Sequence, residues 1–446
     1  MVPGRRATTG LLVVALVLTG ACGTRLPDSA FTGSGENASS APSPQQGPDV
    51  GVSANQITIG IMASLTGPLG SDTFSPPMYG ARAYFAALNA RGGVNGRTVK
   101  VVTCDDQSSG SGNQQCVHEL IDNDRVFALT ATAVLDYAGA SYVNSKGVPD
   151  IGGEPVTTAY EQYQHLYSIA GSWAPRDGTV GWNGKIDNST EVYRWLHEKL
   201  GARTAAVVYY NQASSARYAR QIEHGLRVEG FTVVPEEVDF ALPDFTAAVL
   251  DLKARKADVV FDALDTSGNG SLCKAIDEQG VKLTAKMTTV QGWNDQVRAD
   301  YADAPHCRNA LYATADERNY EDTSIPIVKQ FRDDVAKYFP QRPLSMWMLE
   351  GWAAAQWLTD AISSCGGNVT RACVEAFMNR PTPYVGHGMQ VPVEFPRLAE
   401  PPATLHQCFN VARWQDSANA GRGSWVTAVP DMMTNCYDVP DLLDSA

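Results

Sequence analysis

The sequence predicts an α/β protein with two Rossmann-like lobes, each built on a parallel β-sheet. Short strand-like runs alternate with segments that carry apolar residues at helical spacing, which is typical of βαβ units. This alternation starts near Ile57 and starts again near Thr204. At 446 residues the chain is also long for one domain, so two lobes fit its length.

The first lobe is predicted from the strand-like run "TIGIMAS" at 58–64 and the segments that follow it. A helix is expected over "YGARAYFAALNARGG", where a pair of glycines provides the stop. The runs "TVKVVTC" and "VFALTA" indicate two more strands, with the helical segment "QCVHELIDN" between them. Strands separated by helices in this way favour a parallel sheet.

The second lobe is predicted from the strand-like run "TAAVVYY" at 204–210 and a repeat of the same alternation. Helices are expected over "ARYARQIEHGLRVEG", near "FTAAVLDLKARK" and near "SLCKAIDEQG". The runs "FTVVPE", "DVVFDAL" and "KMTTV" indicate the strands that alternate with them.

The first 22 residues are predicted to be an export signal. Arg5 and Arg6 precede an apolar run from Leu11 to Leu18, and the small residues of "TGAC" follow it. The run is too short to span a bilayer, which takes roughly 20 residues. The stretch "LTGAC" resembles the bacterial lipoprotein box, which implies lipidation of Cys22 and attachment to the membrane surface. Ordinary secretion with an incidental cysteine is the alternative.

Residues 23–53 are predicted to be a disordered tether. This segment is rich in Ser, Gly, Pro and Ala and holds few large apolar side chains, so it cannot build a core. About 30 residues of flexible coil would hold a folded domain tens of ångströms from the membrane.

The charge of the chain argues against a nucleic-acid partner. Removal of Arg5 and Arg6 with the signal changes the formal net charge from −13 to −15, because no acidic residue precedes Cys22. No block of lysine or arginine interrupts the acidic pattern, and binding to phosphate backbones needs such blocks. The mature protein is therefore expected to be extracytoplasmic and free of nucleic acid.

The cysteines beyond Cys22 are expected to form disulfides. Eight remain, and an even number in an exported chain is typical of a disulfide framework. No metal site is expected, because the CxxC and Cys/His spacings of metal centres are absent. The count allows 105 connectivities, and locality favours pairs of sequence neighbours. Those pairs are Cys104 with Cys116, Cys273 with Cys307, Cys365 with Cys373 and Cys408 with Cys436.

The loop "SLTGPLG" at 64–70 follows the first predicted strand and combines hydroxyls, glycines and a proline. Open parallel sheets bind ligands at the carboxyl ends of their strands, where free backbone N–H groups collect. The loop is thus a candidate ligand site, with a plain βα turn as the alternative.

Three stretches of the first half follow one another: "ITIGIMASLTGPLG", "GARAYFAALNARGGVNGRTVKVVTCDD" and "VFALTATAVLDYAGASYVNSKGVPDI". They resemble the amino-terminal lobe of periplasmic binding proteins of the leucine/isoleucine/valine-binding family. The later "AAVVYYNQASSARYARQIEHGLRVEGFTVV" and "ADVVFDALDTSGNGSLCKAIDEQGV" are similar to its second lobe in order and spacing. The resemblance covers the chain from about Ile57 into its carboxyl-terminal region.

The resemblance implies a type I periplasmic binding protein fold with a three-strand hinge. Residues 54–172 and 315–390 would form the first lobe, and residues 173–314 and 391–446 the second. Such proteins close around a small solute and deliver it to the membrane permease of an ABC importer, without a cofactor. This scheme puts two of the expected disulfides in each lobe and none between them.

The resemblance also implies eight ligand-binding candidates. In place of the serine that the family often has after its third strand, backbone N–H groups near Ala133 are available, and "GGEP" brings Glu154 near the cleft. Ser214 and Asp265 stand where aromatic residues are common, and two aromatic residues could provide an apolar wall. The candidates are Phe74, Thr132, Ala133, Val134, Glu154, Ser214, Asp265 and Trp293.

These departures from the family pattern argue against a branched-chain amino acid as the solute. Glu154 and Asp265 instead favour a polar solute that is cationic or bears an amino group, since a buried carboxylate needs a partner. An amino acid, an amide or a related compound would fit this description.

Catalysis is not expected. His118 stands beside Glu119 but lacks the second histidine of the HExxH motif, and neither GxSxG nor a Walker loop is present. A binding protein that reports to a membrane receptor is the alternative to transport, because it would use the same cleft.

Overall fold

The computed structural model describes residues 49–67 and 71–445. The predicted signal, Cys22 and most of the predicted tether lie outside the described residues. Residues 49–53, predicted as the end of the tether, are already part of the fold, because the Asp49 carboxylate accepts a hydrogen bond from the Arg371 N–H at 2.8 Å. None of the helices in the described part of the chain is long and apolar enough to cross a membrane.

Two parallel sheets form the framework, as the sequence predicts. The first sheet has five parallel strands in the order β2-β1-β3-β4-β5. They are β1 Gln56–Ala63, β2 Thr98–Asp105, β3 Ala128–Thr130, β4 Asp150–Gly153 and β5 Leu166–Ser168. β2 and β3 lie on opposite sides of β1, so the strand order reverses there. The carboxyl ends of β1 and β3 therefore form a topological switch point.

The second sheet repeats this arrangement and adds two strands in antiparallel pairing. Its order is β14-β13-β11-β10-β9-β7-β8, and β13 pairs antiparallel with both β11 and β14. After β6 Lys185–Ile186, its parallel strands are β7 Thr204–Tyr210, β8 Thr232–Val238, β9 Val259–Ala263, β10 Ala285–Thr288 and β11 Leu311–Ala315. The remaining strands are β12 Thr404–Cys408, β13 Asn410–Gln415, β14 Ser424–Thr427, β15 Cys436–Pro440 and β16 Asp444–Ser445.

Helices cover the sheets, and the restart of the alternation near Thr204 is confirmed. The helices that precede β7 are α1 Ser71–Phe74, α2 Pro76–Ala90, α3 Gly110–His118, α4 Ala140–Ser145 and α5 Glu191–Lys199. Those interleaved with the second sheet are α6 Ala213–Val228, α7 Phe245–Ala254, α8 Thr266–Glu278, α9 Val297–Asp300 and α10 Pro305–Arg308. The last four are α11 Pro326–Tyr338, α12 Met346–Ser364, α13 Arg371–Met378 and α14 Ala418–Gly421.

The chain passes between the two sheet regions three times. It leaves the first sheet after β5, returns after β11 when α12 packs against α2 and β4, and leaves again before β13. The crossing segments lie side by side, since the Ser172 N–H bonds the Glu394 carbonyl at 3.3 Å and the Val391 N–H bonds the Asp316 carbonyl at 2.8 Å. Three crossing segments side by side match the three-strand hinge that the sequence resemblance implies.

Glycines allow α2 and α12 to approach closely. A Cβ atom on Gly80 would collide with the Met348 carbonyl, and one on Gly351 would collide with the Pro77 carbonyl. The close approach buries most of α12, including Trp352.

The structure contains the four disulfides between sequence neighbours: Cys104–Cys116, Cys273–Cys307, Cys365–Cys373 and Cys408–Cys436. The first joins β2 to α3 and the third joins α12 to α13. The second joins α8 to α10, and the fourth joins β12 to β15. Within the described residues, no bridge therefore ties the first sheet to the second.

Gly351→Ala is expected to lower the free energy of unfolding by about 3 kcal/mol, because the new Cβ would force α2 and α12 apart. Urea unfolding followed by tryptophan fluorescence would measure the change. Gly367→Ala is the matched control, since no atom of the residues that the structure describes lies within 4 Å of a Cβ at that position. Equal stability of the two variants would contradict the close helix contact.

Candidate functional site

A cavity of about 550 Å³ lies between the carboxyl ends of the two sheets. We call it the cleft. Residues that follow β1, β3 and β4, together with the start of α12, form one wall. Residues that follow β7, β8, β9 and β10 form the other. Its volume falls within the range of small-molecule pockets, roughly 300–1,000 Å³.

Two pairs of aromatic side chains face the cleft from opposite walls. Phe74 packs against Trp347 in the first wall, with ring centroids 5.4 Å apart. Tyr210 packs edge-on against Phe240 in the second wall, with centroids 5.1 Å apart. Such paired rings present large rigid apolar surfaces, so the cleft suits a solute with an apolar part.

Glu154 lines the cleft directly after β4 and is almost fully buried. Its Oε2 accepts a hydrogen bond from the Trp347 indole N–H at 2.7 Å, and its carboxyl group lies against that of Glu350. Burial raises the pKa of Glu154 to about 8, and the nearby Glu317 carboxylate adds to the rise. Burial and the Glu154 charge likewise raise the pKa of Glu350. The two carboxyl groups therefore share protons at neutral pH.

Asp265 lines the opposite wall and caps helix α8. Its Oδ1 accepts hydrogen bonds from the Gly268 N–H at 3.0 Å and from the Tyr210 hydroxyl at 2.8 Å. An N-cap carboxylate of this kind satisfies a backbone donor of the first turn. The residue thus holds together the start of α8 and the aromatic pair beside it.

The structure brings four of the eight predicted site residues to the cleft: Phe74, Glu154, Ser214 and Asp265. The other four do not line it. The Thr132 hydroxyl donates to Asp150, and the Ala133 N–H donates to the Met62 carbonyl at 3.0 Å, so that N–H is not free for a ligand. Val134 is buried in the core beneath.

Trp293 lies in the core of the second sheet region instead of the cleft. It is fully buried and packs against Trp425, with ring centroids 5.7 Å apart. A solute contact by Trp293 stays a prediction that the cavity lining does not support. His118 is equally remote from the cleft, since its ring bonds the exposed Asp122 on the same stretch of chain at 2.9 Å.

Sequence reasoning missed the residues that contribute most apolar surface to the second wall. Tyr210 ends β7, Tyr218 lies on α6, and Phe240 follows β8. Tyr210 and Phe240 carry a usable signal, since both stand at the carboxyl ends of neighbouring strands. The sequence gives no such signal for Trp347 and Arg217. Each lies in a segment with helical spacing, where a tryptophan or an arginine needs no ligand to account for it.

The sequence matches the family described as periplasmic binding protein over residues 56–421. An amino acid binding protein of Pseudomonas aeruginosa is 24% identical over 304 residues, which cover 66% of this chain and 75% of that relative.

Solved structures share the fold. A fatty acid ABC transporter substrate-binding protein from Thermomonospora curvata superposes with a TM-score of 0.66 at 18% identity, covering 88% of this chain and 97% of that one. A branched-chain amino acid transporter substrate-binding protein from Streptococcus pneumoniae, solved with isoleucine, gives a TM-score of 0.62 at 17% identity. It covers 84% of this chain and 100% of its own.

The free energy of unfolding is expected to fall as pH rises from about 4.5 to about 8. Over this range Glu154 keeps its proton in the folded state and loses it in the unfolded state. Each such proton lowers the free energy of unfolding by about 1.4 kcal/mol for every pH unit of increase. Glu154→Gln should reduce the slope in urea unfolding series, whereas the exposed Glu400→Gln should not. Identical slopes in all three proteins would mean that Glu154 is ionised when folded.

Proposed function

The chain belongs to the periplasmic binding protein family, and from that premise we propose that it captures a small organic solute outside the cytoplasm and delivers it to an ABC importer. The observation that carries this proposal is the cleft, whose two walls come from the carboxyl ends of two separate parallel sheets. Parallel α/β sheets bind ligands at this edge.

Capture would proceed by closure of the two sheet regions around the solute. We propose residues 54–172 with 315–390, and 173–314 with 391–446, as the two lobes that move. The disulfides leave this motion free, since within the described residues none joins an element of the first sheet to an element of the second. Closure about a few hinge segments buries the solute and strengthens its polar contacts, because water is excluded.

Membrane attachment and delivery complete the proposal. Lipidation of Cys22 would hold the protein at the outer surface of the cell membrane, with residues after Cys22 as a tether. The partner would be a membrane permease that accepts the solute from the closed lobes. The relatives named above include transporter substrate-binding proteins, which supports this partner.

Mass spectrometry of natively purified and then denatured protein would identify the solute and test capture directly. A small molecule released in a stoichiometric amount would support the proposal. A cleft that binds no small molecule from the native source, in protein of intact fold, would contradict it.

Phe240→Ala is expected to weaken binding of the identified solute by about tenfold, because one ring of the second wall is lost. Leu242→Ala is the matched control from the same loop, since Leu242 is 85% exposed and lies outside the cleft lining. Isothermal titration calorimetry would measure both affinities. Equal affinities for the two variants would place the solute elsewhere.

Cys22→Ala is expected to release the protein from the membrane fraction of the native host. Several acyl chains anchor a protein firmly, whereas none leaves only weak surface contacts. Cell fractionation and immunoblotting would measure the distribution. If the variant stays with the membrane as fully as the wild type, lipid attachment at Cys22 is wrong.

A further inference from the structure

We infer that the solute is a carboxylic acid with a large apolar body and that the Arg217 guanidinium binds its carboxylate. The inference rests on the proposed function and names the class of solute that the cleft takes. It differs from the amino-bearing solute that the sequence favours, and the contacts of four carboxyl groups and one guanidinium explain the difference.

The walls of the cleft carry many apolar side chains, which favours a solute with an apolar body. Besides the two aromatic pairs, Leu135, Val156, Leu264 and Val290 line it. Tyr218 and Phe240 remain 47% and 44% exposed although both are large. Exposed apolar surface gathered in one concave site marks a binding site, because its burial by a ligand removes that surface from water.

The carboxyl groups in the cleft are already engaged. Glu161 accepts a hydrogen bond from the Ser172 hydroxyl at 2.7 Å, and Asp265 caps α8. The remaining two each lie against a second carboxyl group: Glu154 faces Glu350, and Asp187 faces Asp441.

In each of these two pairs, the carboxyl group that lines the cleft holds a proton at neutral pH. Burial raises the pKa of Asp187 to about 9 and that of Glu154 to about 8. A neutral carboxyl group neither attracts an ammonium group nor repels a carboxylate. These two acids thus offer little to a cation, and the Glu161 Oε2 and Asp265 Oδ1 atoms already accept hydrogen bonds from the fold.

Arg217, unlike these carboxyl groups, has no partner among the described residues. It is the one Lys, Arg or His side chain among the described residues that line the cleft. It is half-buried, and it makes no hydrogen bond or ion pair with any described residue. A guanidinium group presents a planar fork of donors that matches a carboxylate with two parallel hydrogen bonds.

Helix α6 points this group into the site together with other polar side chains. Ser214, Arg217, Tyr218 and Gln221 all line the cleft, and their spacing of three and four residues places them on one face of the helix. The solute would therefore lie with its carboxylate against α6 and its apolar body between the aromatic pairs.

The test compares three probes that share a phenyl ring on a three-carbon chain, by calorimetry on the full mature protein: 3-phenylpropionate, its isosteric amide 3-phenylpropionamide, and 3-phenylpropylamine. The acid is expected to bind at least tenfold more tightly than the amide and the amine, because only the acid forms the charged pair. Arg217→Gln should remove this preference. Arg220→Gln, an exposed arginine on the same helix that does not line the cleft, should keep it.

The native solute provides the second readout, by mass spectrometry of the material released on denaturation. A carboxylic acid without an amino group is expected, and its affinity should drop by on the order of tenfold to a hundredfold in Arg217→Gln. A native amine, an amino acid held equally well by Arg217→Gln, or tighter binding of the amine probe would overturn the inference and leave solute capture intact. If neither a probe nor a native molecule binds, both the inference and the proposed function fail.

Discussion

The packing of α12 against α2 and the first sheet is the contact on which the other features depend. α12 lies in sequence between β11 and β13 of the second sheet, so its return to the first sheet makes the chain cross three times. Gly80 and Gly351 allow the two helices to approach until their backbones touch. The same helix then directs Trp347 onto Phe74 and Glu350 onto Glu154. One helix contact thus sets the core, the hinge and one wall of the cleft.

Burial of acidic groups beneath that wall keeps the cleft apolar. Glu154, Glu350 and Glu317 lie close together where α12 meets the hinge, and no basic side chain of the described residues contributes to their pKa values. Charges buried without a counter-ion are costly, so these groups take up protons instead. A neutral floor lets the aromatic rings determine what the first wall binds, and it leaves charge recognition to the second wall.

The sequence predicts the alternation of elements, the two sheets and the strand ends that carry Glu154 and Asp265, because these depend on local periodicity and on parallel topology. It does not predict which atoms remain free. The Ala133 N–H is used by the Met62 carbonyl, a pairing that depends on the register of β1. Trp293 is drawn into the core by Trp425, which lies on a distant strand of the same sheet region.

Arg217 shows why charge recognition is hardest to deduce from sequence. On an amphipathic helix an arginine is normally a solvated surface residue, and its spacing gives no other sign. Only the folded structure shows that the carboxyl groups around Arg217 already contact one another, a helix N-terminus or a hinge segment. Folding leaves Arg217 without a partner among the described residues, and it leaves the apolar walls beside Arg217 uncovered. A solute can supply both of these missing interactions. The chemistry of the solute therefore follows from the charged group and the apolar surface that the protein itself does not pair or cover.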